Sequence, residues 1–172
     1  MPGDLALLVL RVTLGVVFFA HGYNHVFRGG KIAGTARWFE SLGMRPGKLH
    51  AWLASVTEMG SGVLLVAGFL TPLAGAGVLG TMLVAWVTNH AKNGFFIFRP
   101  GEGYEYVMTL SALGAVVAML GAGEWSLDEA AGIFDPPGWE GAWIALVGGV
   151  GGAGALLGAC WRPPAPQAAD GT

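Results

Sequence analysis

Glu58 stands in the middle of an apolar run, Ala51 to Leu70, long enough to cross a bilayer. A carboxylate at that depth costs several kcal/mol unless it is paired or protonated, so it marks a buried site by default. The other groups able to do chemistry fall near one level of the chain's apolar segments. They are the four histidines, His21, His25, His50 and His90, together with Glu105. His21 and His25 are four residues apart, as are Glu105 and Thr109, and such pairs present two groups to one neighbour on a helix. Ser55, Ser61 and Gly62 give Glu58 a polar, small-residue surrounding. Three kinds of chemistry fit this set. Imidazole and carboxylate can hold iron, copper or zinc. They can relay protons to, or hydrogen-bond, the head of a lipophilic substrate such as a quinone, because histidine titrates near neutrality and burial weakens carboxylic acids. Or they can simply pin helices together. No H-E-x-x-H pattern or thiolate set supports a metal, so a metal is the weaker of the first two.

Arg11 lies about six residues into the first apolar segment, roughly 9 Å from its start at 1.5 Å per residue. A guanidinium there can snorkel toward Asp4. It can also cross the bundle to Glu58, and the ion pair is the expectation, since it neutralises two costly charges together.

These groups must be positioned by five apolar segments near the ~20-residue length of a spanning helix. They are residues 5–27, 51–70, 72–89, 104–120 and 142–161. The composition agrees: the chain is 53% hydrophobic and 12% charged, with 30 glycines, and a soluble domain carries about 25% charge. The predicted fold is all-α, a polytopic transmembrane helical bundle forming one domain over residues 1–161. Residues 162–172, rich in Pro and Ala, are expected to be a disordered tail. Thr71 is expected to cap the third segment, with Pro72 in its first turn. Gly94 is placed as a C-cap. Between the first two spans, residues 32–42 form a short amphipathic helix; the expectation is that it lies flat in the interface, and the alternative is that it folds over the bundle mouth as a lid. In the last span, Gly148/Gly152 and Gly154/Gly158 have small-xxx-small spacing, which suits a close helix contact within the chain or in an oligomer.

Charge fixes an expected orientation. Arg28, Lys31, Arg37, Arg45, Lys48, Lys92, Arg99 and Arg162 fall on one side of a five-span topology, and acidic residues dominate the other. The positive-inside rule then places the N-terminus outside and the C-terminus in the cytoplasm of a bacterial-type plasma membrane. The lipid bilayer is the expected partner, and no basic helix or motif points to nucleic acid. The single cysteine, Cys160, excludes an internal disulfide.

Ordered fragments then carry a family resemblance. They are Leu10-Arg11, His21-Gly22, Ala33-Gly34-Thr35-Ala36 with Trp38-Phe39, Glu58-Met59-Gly60-Ser61-Gly62, His90 with Asn93-Gly94-Phe95-Phe96, Gly103-Tyr104-Glu105-Tyr106, and Trp125-Ser126-Leu127-Asp128. Together they resemble the DoxX family of membrane proteins. The resemblance implies a four-helix core, with the Gly-rich fifth span as an addition, and a role in quinone-linked or thiol-linked redox metabolism. His25 stands where many relatives carry lysine. On this reading Glu58 and His90 are the catalytic candidates, and Arg11, His21 and Glu105 orient or bind the substrate. A quinone and other redox proteins are the expected partners. The rival class is a non-enzymatic membrane scaffold that recruits or stabilises partner proteins, supported by the glycine-rich last span.

Overall fold

The chain's structure, a computed structural model, describes residues 2–133 and 138–164. Apolar content carried in long helical stretches leads to a bundle, and all regular structure among these residues is helical apart from one isolated bridge, Met44 with Trp161. The helices are α1 (Pro2–Phe27), α2 (Lys31–Ser41), α3 (Gly47–Ala67), α4 (Thr71–Asn93), α5 (Glu105–Leu120), α6 (Leu127–Ala131) and α7 (Trp139–Cys160). Four of them, α1, α3, α4 and α7, are long and apolar enough to cross a membrane. The fourth predicted span, α5, has 16 residues, so it reaches only about 24 Å of a ~30 Å hydrocarbon core. The expected disordered tail lies largely outside the described residues, as does Phe134.

Glycines decide how closely the helices approach. A Cβ on Gly15 of α1 would sit 2.7 Å from the Gly62 carbonyl oxygen of α3, and one on Gly62 would sit 2.7 Å from the Gly15 carbonyl oxygen. Only hydrogen at both positions allows this crossing, which is how helices associate where lipid supplies little hydrophobic drive. Gly75 of α4 and Gly114 of α5 repeat the device. Leu14, Phe18, Leu65, Val78, Val107, Leu110 and Val117 fill the core between these four helices.

In α7, the close contact to α4 is made by Gly149, against Leu79 and the Ala76 carbonyl, rather than by either predicted glycine pair. A Cβ on Gly152, Gly154 or Gly158 would meet nothing within 4 Å. The far end of α7 is tied to the turn between α2 and α3. Arg45 N donates to Cys160 O (3.2 Å), Arg162 N to Gly43 O (2.9 Å) and Trp161 Nε1 to Leu42 O (2.9 Å).

α2 does not stand clear of the bundle. Thr35 and Phe39 are buried, and the Thr35 hydroxyl donates to the His25 carbonyl (3.0 Å). Of the two placements, these contacts match the alternative, the one that folds over the bundle mouth. The start of α4 differs from expectation. The Thr71 hydroxyl has no partner. The cap comes instead from Asp128, whose two carboxylate oxygens accept from Leu70 N (2.7 Å) and Thr71 N (2.9 Å). Leu70 at φ 47° turns the backbone so that both N–H groups face the same carboxylate. A cap supplied from so far along the chain leaves no local sequence signature.

Candidate functional site: a cavity between α3, α4 and α7

α3 and α7 both pack on α4, with α4 between them, and the space left over forms a cavity of about 450 Å³. α4 supplies its back wall through Ala76, Gly77, Gly80, Thr81 and Val84. Leu53, Ala54, Thr57 and Glu58 form the α3 side, Gly148, Gly152 and Leu156 the α7 side, and Trp38 and Phe39 of α2 close one end. Gly152, where an added Cβ would meet nothing within 4 Å, leaves the α7 side of the space open. Leu53 and Leu73 line it yet are 44% and 50% exposed, so it is open toward the side of the bundle that lipid would surround. The volume lies in the range of small-molecule sites, which are mainly apolar with a few placed polar groups.

Of those polar groups the ionisable ones are His25, His50 and Glu58, beside Thr57, Thr81 and Thr88. Glu58 is 5% exposed and His50 2%. The buried stripe of α3 runs through His50, Ala51, Ser55, Glu58, Ser61, Gly62 and Leu65, at the three- and four-residue spacing that keeps one helix face toward its neighbours. His25 Nε2 lies 3.3 Å from Glu58 Oε2. This pairing offsets the desolvation of the carboxylate, which would be severe for an isolated charge. The His25 ring also stacks on Trp38 with centroids 6.4 Å apart, so α2 helps to fix it. Ser55 is not a partner of Glu58: its hydroxyl donates back to the Ala51 carbonyl (2.6 Å).

The other candidates are placed elsewhere. The expected Arg11–Glu58 pair does not form. Arg11 is 2% exposed, and its guanidinium donates to the carbonyls of Leu65 (3.1 Å) and Val66 (2.8 Å) and to that of Trp125. Those carbonyls lie at the far end of α3, seven and eight residues beyond Glu58, or roughly 10–12 Å along the axis. The last carbonyls of a helix carry partial negative charge and lack partners, so they hold a cation well. Asp128, capping α4 next to this turn, is the acid nearest in charge to Arg11. Arg11 therefore joins α1, the α3–α4 turn and the α6 segment, at the opposite end of α3 from the cavity.

His21 is exposed, and its Nε2 lies 3.0 Å from the Tyr106 hydroxyl, joining α1 to α5. His90 is buried in a widened turn of α4, Trp86–His90. Its Nδ1 lies 2.9 Å from the Glu102 carbonyl, and its Nε2 lies 3.3 Å from the Asn89 side-chain amide. Glu105 accepts from Ile97 N (3.2 Å). His90 and Glu105 thus both hold the loop between α4 and α5. Among the described residues no three His, Cys, Asp or Glu side chains group as a metal site would need. His25 and His50 are the cavity residues that sequence reasoning passed over. The available signal was modest: His50 shares the polar stripe of α3 with Glu58, and His25 closes α1 just before the amphipathic segment.

Two comparisons with known proteins bear on this arrangement. The model of the DoxX family matches residues 6–91, which is 86 of 172 residues, or half the chain. A protein of Bacillus subtilis (strain 168), named "Putative oxidoreductase CatD", is 28% identical over 110 residues, covering 64% of this chain and 76% of that protein. No solved structure matches. The family match includes His25, His50 and Glu58 and stops before α5 and α7.

Proposed function

The chain belongs to the DoxX family of multi-pass membrane proteins, and from that premise we propose that it serves quinone-linked redox metabolism, as a small enzyme or as a subunit. The head of a lipophilic quinone enters the cavity from the lipid side, past Leu53 and Leu73, and meets the His25–Glu58 pair. The observation that carries this reading is a buried, paired carboxylate on the wall of an otherwise apolar cavity that opens sideways. An apolar tail gains from burial beside Ala76, Val84 and Leu156, while the head finds groups that bind or exchange protons. The similarity to a protein named as an oxidoreductase supports the redox part. The thiol-linked branch draws less support, because Cys160, the one cysteine of the chain, does not line the cavity.

Within this reading Glu58 and His25 are the working pair. His90 and Glu105 position the neighbouring loop, His21 braces α1 against α5, and Arg11 is structural. The positive-inside rule puts the cavity in the cytoplasmic half of the membrane, with the C-terminus cytoplasmic. The test is an anaerobic titration of purified protein with a short-tailed hydroquinone, following quenching of tryptophan fluorescence, together with a quinol-oxidation assay. Saturable binding that Glu58→Gln removes supports the assignment. Binding unaffected by that change, or none in the wild type, refutes it.

One observation favours a second reading, a scaffold. On α7 a Cβ at Gly154 or Gly158 would meet nothing within 4 Å among the described residues, so a partner helix can approach that face closely. Stoichiometric co-purification of a membrane partner, without quinone binding, would favour that role.

A further inference from the structure

Two buried polar atoms on α3 make no hydrogen bond, and both belong to residues that line the cavity: His50 Nδ1, which has no partner, and Glu58 Oε2, whose one polar contact is His25 Nε2 at 3.3 Å. Buried polar atoms in native proteins are nearly always satisfied, by protein, water or ligand. An unpartnered nitrogen and a carboxylate with spare acceptor capacity, both on residues of one cavity wall, suit a ligand that reaches both.

The chemistry of each orphan can be read from its surroundings. His50 Nε2 lies 3.3 Å from the Arg45 carbonyl, and a carbonyl only accepts, so Nε2 carries the hydrogen. In the neutral ring Nδ1 is then an acceptor. Glu58, paired with His25 as a carboxylate, is acceptor-only as well. The wall therefore presents two acceptors and wants two donors. Eight residues separate them, an axial rise of about 12 Å. A ligand that reaches both acceptors must carry a donor at each end. An aromatic ring bearing hydroxyls para to each other carries its donors in that way. A ring with one hydroxyl satisfies one orphan, and a dione, which has no donor, satisfies neither.

We propose that His50 is the second anchor of the cavity, and that the cavity selects the reduced, para-dihydroxy form of its ligand by accepting one hydroxyl at Glu58 and the other at His50 Nδ1. The proposal rests on the quinone reading given above, and it assigns to that site a redox-state preference and a residue. Phe39, whose ring centroid is 6.3 Å from that of His50, and the Arg45 carbonyl hold the imidazole in place.

The test uses the full chain in lipid nanodiscs under anaerobic conditions. Three probes share one decyl tail: a hydroquinone, the corresponding dione, and the hydroquinone's mono-methyl ether. Affinities are read from tryptophan quenching. Wild type is expected to bind the hydroquinone about tenfold or more tighter than either other probe, the size of one or more hydrogen bonds. His50→Gln places its amide near Nε2, keeping the Arg45 contact while losing the Nδ1 acceptor, and it should erase the preference over the ether. His50→Asn places an acceptor near Nδ1 and should restore it. Equal wild-type affinities for the three probes, or a preference that survives His50→Gln, would overturn the second anchor and leave the quinone site standing. Failure of the wild type to bind any of the three overturns the quinone reading itself.

Discussion

His25 Nε2 faces Glu58 Oε2 at 3.3 Å, so the last turn of α1 and the middle of α3 are joined by a charge pair at the edge of the cavity. The two partners differ in exposure, 19% for the His25 side chain against 6% for that of Glu58. The imidazole therefore reaches the surroundings while the carboxylate stays enclosed. A site that must pass protons to a lipid-soluble substrate needs this combination of one wetter and one drier group.

Glu58→Gln preserves the shape and removes the charge. Its expected effect is a loss of about tenfold or more in hydroquinone affinity, the scale of one charge-assisted hydrogen bond, with membrane insertion intact. His25→Ala, by contrast, strands the carboxylate. It should cost about 2 kcal/mol of stability, less than for a fully buried pair because His25 is partly exposed. His25→Lys keeps a cation in reach and should recover most of that loss in a thermal-shift measurement.

Arg11→Met removes a buried cation from the carbonyls of Leu65, Val66 and Trp125. The expected destabilisation is about 3–5 kcal/mol, the range for breaking a buried charged contact. Asp128→Asn keeps part of the α4 cap and should cost about 1–2 kcal/mol. In detergent, thermal unfolding should drop in that order, while the folded fraction binds quinone normally. A selective loss of quinone binding in Arg11→Met, with stability unchanged, would return Arg11 to the site.

The α7 glycines separate packing from volume. A side chain at Gly149 collides with Leu79 and the Ala76 carbonyl, whereas one at Gly152 meets nothing and borders the cavity. Gly149→Leu should push α7 off α4 and yield aggregated protein, as overpacking costs about 1–3 kcal/mol or more. Gly152→Leu should behave as wild type on size exclusion yet bind the decyl probes more weakly.

His90→Ala tests the loop-holding role. Losing the contact to the Glu102 carbonyl should speed proteolysis and amide exchange between residues 94 and 103. Quinone affinity should stay within about twofold of wild type, the small change expected of a residue outside the contact set. A tenfold drop would instead place His90 in the site.

Apolar length and charge partition made the bundle legible, because both are properties of single segments. The residue Glu58 was legible for the same reason: a carboxylate inside a lipid-length run is anomalous without any partner being known. Its partner was not. Arg11 offered the larger charge, and nothing local in the sequence says that α3 ends where its carbonyls can claim that guanidinium. Asp128 illustrates the same limit, since it caps a helix 57 residues earlier. His50 sat in view on the α3 stripe, but only the cavity shows that its second nitrogen has no partner.

The clasp between Trp161 and the α2–α3 turn has a consequence for biosynthesis. One wall of the cavity belongs to α7, made after every other helix described, and that wall is fastened by main-chain pairing at Gly43, Arg45, Cys160 and Arg162. Until those residues emerge, α3 and α4 hold an incomplete cavity. Its walls close late, when residues 160–162 dock against a turn made more than a hundred residues before.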